Sequence, residues 1–220
     1  MSARQLIALA VLPPLLAFGT LMVLAMTEYP GGTWEDPQAL GHSQGRNFLC
    51  DLTRPTGING QPNPAGAKYA ELGLYAYVIA LGPFFLITPW LFPHRRRLGR
   101  LVWTCGALCS LGGVAIVALP SWMIGPLWHG VLVLGTAVPG LIAALGATLG
   151  AWAMTPPQRA IRFAGTATMV VTALTVAVFA AQIARGAETT TGLPVLEKTA
   201  ILLSMAWMVL TVAAVFRRPG

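Results

Sequence analysis

The run RRRLGRLVWTCGALCSLGGVAIVAL (residues 95–119) decides how this chain is read. Four arginines crowd its first six positions, and the residues that follow, 101–119, carry no charge at all. A helix rises 1.5 Å per residue, so about 20 apolar residues match the ~30 Å hydrocarbon core of a bilayer. Within that core no water can satisfy backbone amides and carbonyls, so the segment must close its own hydrogen bonds as a helix. Working outward, the same pattern recurs on both sides. Apolar runs bounded by charge or by Pro and Gly fall at residues 5–26, 69–92, 101–119, 127–154, 163–183 and 196–216. Composition agrees. The 220 residues are 55% hydrophobic and only 10% charged, with mean hydropathy +0.68, whereas soluble domains carry about 25% charged residues. The predicted fold class is all-α: a polytopic membrane protein, one bundle of six transmembrane helices forming a single domain over residues 1–220.

The first run has a competing reading as a signal peptide. Arg4 precedes an apolar core, and Val23-Leu24-Ala25 is a permissive cleavage site. The core exceeds the usual 7–15 residues, which favours a retained span. Pro13, Pro14, Pro83, Pro89 and Pro139 fall inside the runs and mark expected kinks.

Net charge is +7, but the basic residues punctuate apolar runs and form no continuous patch with interleaved aromatics. That placement excludes a nucleic-acid partner and suits membrane orientation. If six helices alternate, Arg4, Arg95-Arg96-Arg97 with Arg100, Arg159 with Arg162, and Arg217-Arg218 share one side. Glu28, Glu35, Asp36, Asp51, Glu71, Glu188 and Glu197 lie on or near the other. The positive-inside rule then places both termini in the cytoplasm and residues 27–68 in a long extracytoplasmic loop between the first two helices. The arginine cluster fixes orientation and touches anionic headgroups. Small residues (Gly146 and Gly150 in GATLG, Gly112-Gly113 and Ala115) predict close helix packing. Cys105 and Cys109 lie four apart in an apolar run, Cys50 stands alone, and no CxxC or Cys/His zinc spacing occurs.

The polar exception is HSQGRNFLCDLTRPTGINGQPNPAGAKYAE (residues 42–71). Asp51 sits in the apolar-flanked run Asn47-Phe48-Leu49-Cys50-Asp51-Leu52, which predicts a segment dipping into the bundle or lying at the interface. An isolated carboxylate there is costly and calls for a partner. Arg46 and Arg54 are the nearest basic residues, so a salt bridge locking the loop is the first reading. The second is a reactive site. His129, beside Trp128 at the outer start of the fourth helix, either hydrogen-bonds a backbone carbonyl within an interfacial belt with Trp122 and Trp128, or faces Asp51 as an acid/base pair. With His42 the two would make a zinc set, two histidines and one aspartate leaving a position for water. His94 belongs with the arginines, and Ser43 lacks a G-x-S-x-G elbow. Asn59-Gly60 and Pro62-Asn63-Pro64 are turn signals, and their amides are candidates for a polar headgroup. Glu71 and Glu197 suit helix N-termini through the dipole, and Lys198 can snorkel. If their helices adjoin, Glu71 and Lys198 line one polar mouth. The candidate binding residues are therefore Arg46, Asn47, Arg54, Asn63, Glu71 and Lys198.

The run at residues 47–52 resembles the N-[FY]-[IL]-S-[DE]-L signature after the first helix of an uncharacterised bacterial six-helix family. That family is distantly similar to the eukaryotic FRAG/DRAM/Sfk membrane proteins, whose equivalent run reads like P-[FY]-I-S-D. Asn63-Pro64 before the second helix, His129 opening the fourth, and Glu197-Lys198 with Trp207 in the last also fit. The chain departs at Cys50, where the family usually has Ser, and in the insertion TRPTGINGQPN. The resemblance implies a six-helix bundle with an outward polar site, in a bacterial inner membrane, and relatives linked to lipid remodelling, lipid asymmetry or autophagy.

Two functions are thus expected to compete. One is a non-enzymatic protein that binds or organises membrane lipids, or supports a partner membrane protein, through its outer face. The other is an outer-leaflet lipid hydrolase or remodelling enzyme using Asp51 and His129. A transporter fits less well, because no ionisable residue stands at the centre of a span and no inverted repeat is evident.

Overall fold

The computed structural model describes residues 2–154, 158–185 and 192–217. Among these the chain is all-helical, and six helices are long and apolar enough to cross a membrane. The first span is built from two pieces, α1 (Ala3–Leu9) and α2 (Leu12–Glu28). The others are α3 (Pro64–Ile87), α4 (Arg96–Ala118), α6 (Pro126–Trp152), α7 (Arg159–Arg185) and α8 (Leu193–Phe216), with a single turn, α5 (Ser121–Ile124), between α4 and α6. Several helices outrun their apolar windows. Helix α3 starts at Pro64, not residue 69, and α4 at Arg96, not residue 101. A hydropathy window stops at the first charge, whereas backbone bonding continues into the interface, where long basic side chains reach polar surroundings.

The prolines act by position. Pro13 and Pro14 occupy the first turn of α2, where a missing N–H leaves nothing unpaired, so they divide the span and do not kink it. Pro83 and Pro139 lie inside α3 and α6. Pro89 sits in a 3₁₀ turn (Thr88–Leu91) that finishes the second span.

Helix α3 occupies the centre, packed on α2, α4, α8 and α1, and the bundle continues from α4 through α6 and α7 to α8. Its core has two parts. One joins Ala8, Phe84, Phe85, Val102, Ala147 and Trp207, with the Phe84 ring edge-on to Trp207 at 5.2 Å. The other joins Phe18, Met22 and Tyr29 to Leu49 and Leu52 of the long loop. Between α3 and α8, Tyr77 Oη and Ser204 Oγ share a hydrogen bond of 2.5 Å. Lipid tails are as apolar as leucine, so such helices gain by close fit and not by exclusion of water. The small residues provide that fit. A Cβ on Gly150 would stand 2.2 Å from the Phe92 ring, one on Gly112 2.3 Å from Thr136, and one on Gly146 2.9 Å from Val102. Helix α7 is the peripheral member: only 6% of its most apolar window is buried.

The bundle has two chemically distinct ends. The loop end holds the close of α2, the starts of α3 and α8, and residues 29–63. The arginine end holds Arg4, Arg95, Arg96, Arg97, Arg100, Arg159, Arg162 and Arg217. Glu188 and Arg218, which the charge pattern also used, lie outside the described residues.

Candidate functional site

At the loop end the chain leaves α2 at Tyr29 and turns on Gly31-Gly32. Gly32 has φ +88°, and a Cβ there would meet the Asn59 amide at 2.3 Å, so both conformation and space demand glycine. The Tyr29 hydroxyl donates to the Gly32 carbonyl (3.3 Å) and accepts the Ile58 amide (3.2 Å). Asn59 Nδ2 donates to Pro30 O at 2.9 Å. The predicted Asn59-Gly60 turn is present, with Gly60 at φ +80°. These bonds fold the two halves of the loop onto each other before either reaches a helix.

A 3₁₀ turn (Leu49–Thr53) then inserts Leu49 and Leu52 against α2 and α3, both buried. The expected dip toward the bundle is this turn. Asp51 rides on it and is 5% exposed. Its Oδ2 accepts the Phe48 amide at 2.8 Å, and its Oδ1 accepts Trp34 Nε1–H at 3.3 Å. Burial raises the Asp51 pKa. The hydrogen bonds from Phe48, Trp34 and Asn47 and the positive charge of Arg54 pull it back. The Arg54 guanidinium lies over the Trp34 ring, 5.5 Å from its centre.

Asn47, fully buried, is the hinge of the arrangement. Its Oδ1 accepts the Ser43 amide and its Nδ2 donates to Gly32 O, each at 2.9 Å. Its carbonyl accepts from Lys198 Nζ, which also donates to Pro194 O at 3.5 Å. Beside it, Glu197 Oε2 accepts the Leu49 amide at 3.0 Å. Two adjacent polar side chains near the start of α8 therefore grip the backbone of residues 47 and 49. On the other side Asn63 Nδ2 donates to Leu52 O and Arg54 O, both at 3.0 Å. The predicted turn residue is thus a buried strut at the start of α3.

The remaining candidates separate. Arg46 pairs with Glu35 at 3.5 Å on an exposed surface, so it is not the partner of Asp51 that sequence proximity suggested. Glu71 is exposed on α3, and Lys198 is engaged by the Asn47 carbonyl. His129 is buried, with Nδ1 3.0 Å from the Leu119 carbonyl. A carbonyl only accepts, so that nitrogen carries the proton. His129 therefore has the backbone partner named first for it, and the Asp51 oxygens accept from Phe48 and Trp34. Among the described residues no three of His, Cys, Asp and Glu come together in a group able to hold a metal ion, so His42, Asp51 and His129 do not form the expected zinc set. His42 stands edge-on to Tyr29 at 6.3 Å. Burial, then the charge of Lys198, pushes its pKa down from 6.5 to about 4. Burial, then the carboxylates of Asp51 and Glu197, pushes the Cys50 thiol well up, so it stays protonated.

Sequence reasoning missed Trp34, the side chain shared by Asp51 and Arg54. It also gave Glu197 a dipole role and no loop contact. A tryptophan outside every span, in the acidic run Trp34-Glu35-Asp36, was the available signal for the first. No family model, curated protein or solved structure matches the chain.

Proposed function

We propose that this protein resides in a bacterial inner membrane with both termini cytoplasmic. In this reading the extracytoplasmic loop end binds or organises lipid, or supports a partner membrane protein, without catalysing a reaction. One observation carries the proposal. Asn47, Asp51 and Asn59 fasten the loop to itself, Lys198 and Glu197 tie it to α8, and the fastened loop presents apolar side chains outward. Leu40 is 89% exposed and Trp34 half-exposed on a segment held by the contacts of Tyr29, Asn47 and Asp51. A rigid cap with protruding apolar groups at a membrane interface suits docking onto headgroups or a neighbouring protein. The likeness of residues 47–52 to the six-helix family supports the same direction. A lipid hydrolase has less support, because Asp51 and His129 serve separate partners and Cys50 keeps its proton.

A photoreactive side chain at position 40 tests this reading in membranes. The expected result is a reproducible crosslink to lipid or to one membrane protein, with Asp51→Asn leaving lipid composition unchanged. Lipid turnover by the purified, monodisperse protein that disappears in Asp51→Asn refutes it in favour of an enzyme. Orientation has its own test: an impermeant thiol reagent should fail to reach Arg96→Cys from outside intact cells.

A further inference from the structure

The arginine end contains a cleft of about 870 Å³ between the start of α4 and the close of α6. His94, Arg95, Arg96 and Arg97 line it on the α4 side, and Leu149 and Trp152 on the α6 side. The arginines are exposed, and among the described residues none of them has a carboxylate partner. No Asp or Glu occurs between Glu71 and Glu188, and among the described residues the one ion pair is Arg46–Glu35, at the opposite end. Three guanidinium groups in one hollow repel each other and present forked donors whose geometry matches phosphate oxygens.

The facing wall is built, not incidental. Trp152 Nε1 donates to Thr166 Oγ1 at 3.2 Å, the Phe163 ring meets it edge-on at 6.5 Å, and the Arg162 guanidinium covers its face at 5.2 Å. Arg162 is itself anchored on Ala151 O (3.1 Å) and Met154 O (3.0 Å), closing the last turn of α6. Leading away from this wall, Val138, Ile142, Leu145 and Leu149 are all exposed. Their spacing of four, three and four residues puts them on one face of α6, in line with Trp152. The cationic residues at the start of α4 face the amphipathic close of α6, and the apolar track continues from there along α6, in the order of an anionic lipid's phosphate, glycerol and acyl chain.

We infer that this cleft is a binding site for the phosphate headgroup of an anionic phospholipid in the leaflet at the arginine end, with an acyl chain lying along the exposed face of α6. The site is separate from the loop end and does not depend on the function proposed there.

The test titrates detergent-purified full-length protein with phosphatidylglycerol and counts retained lipid by native mass spectrometry. Phosphatidylcholine and inorganic phosphate serve as comparison probes. The expected result is one saturable phosphatidylglycerol, at least tenfold tighter than phosphatidylcholine. R95Q/R96Q/R97Q should weaken it at least tenfold, while R4Q/R159Q/R217Q, the same charge removed outside the cleft, changes it less than twofold. Equal weakening by both triples, or by neither, overturns the proposal in favour of diffuse surface charge. Displacement of the lipid by inorganic phosphate at equal concentration overturns it in favour of a free-phosphate site. If the glutamine triple does not fold, R95K/R96K/R97K keeps the orienting charge but loses the forked donors, and Trp152→Ala removes the wall. A loss of at least threefold in each sustains the proposal, and no loss in either overturns it.

Discussion

Asn47 ties the loop together through a neutral amide whose donor and acceptor ends are both used. Truncation to alanine leaves the part-buried Ser43 amide without its acceptor and the Gly32 carbonyl with only the Tyr29 hydroxyl at 3.3 Å. The expected cost is about 2–3 kcal/mol of local stability. Hydrogen exchange at the Phe48 and Leu49 amides should accelerate about 30-fold or more in Asn47→Ala, since each 1.4 kcal/mol is a factor of ten. Exchange at the wild-type rate would mean that Asp51 and Glu197 hold the turn alone. His42 makes a second residue-scale prediction, in pH. Its folded pKa lies below the ordinary value, about 4 against 6.5. In that interval the unfolded chain binds the proton and the folded chain does not, so stability falls as pH drops from about 6.5 towards 4. His42 is partly exposed, and solvent screening limits the effect to about 1 kcal/mol. The raised pKa of Asp51 works oppositely, because the folded carboxylate takes up its proton first. Comparing acid melting of the wild type with His42→Gln isolates the histidine: the variant should lose less stability over this interval.

At the scale of elements, the packing rests on glycines that admit large neighbours. Gly150→Ala would bring a methyl group within 2.2 Å of the buried Phe92 ring at the join of α6 with the end of the second span. Overpacking of this kind costs about 1–3 kcal/mol, and a lowered melting temperature in detergent is the expected reading. Gly135 has nothing within 4 Å of its added Cβ, so Gly135→Ala on the same helix should be neutral or slightly stabilising. The spans were legible because hydropathy is a local property, and Gly150 within GATLG was legible as a small residue among apolar ones. The identity of its neighbour was not, since Phe92 is 58 positions away and nothing near Gly150 specifies it. Arg46 and Asp51 show the converse. They are close in sequence and opposite in charge, yet the turn directs Arg46 towards Glu35 and gives Asp51 two N–H donors. Proximity along the chain was the only available guide there: it named Arg46, which pairs elsewhere, and Arg54, whose charge does act on Asp51.

Over the whole molecule, charge divides the two ends and helix packing joins them through the central α3. The loop is fastened at a long range: Lys198 to Asn47 and Glu197 to Leu49 connect positions about 150 residues apart. This clasp bears on biosynthesis. A chain emerging residue by residue exposes its loop long before α8 exists, and contacts so distant in sequence form late. Until the sixth span is in place, Asn47 and Leu49 lack their last anchor, and the segment remains open to proteases and chaperones. A chain truncated before Leu193 should therefore be cleaved near residues 42–54 under conditions that spare the full-length protein. Seating the loop would then act as a completion signal, marking a bundle that has received all of its helices.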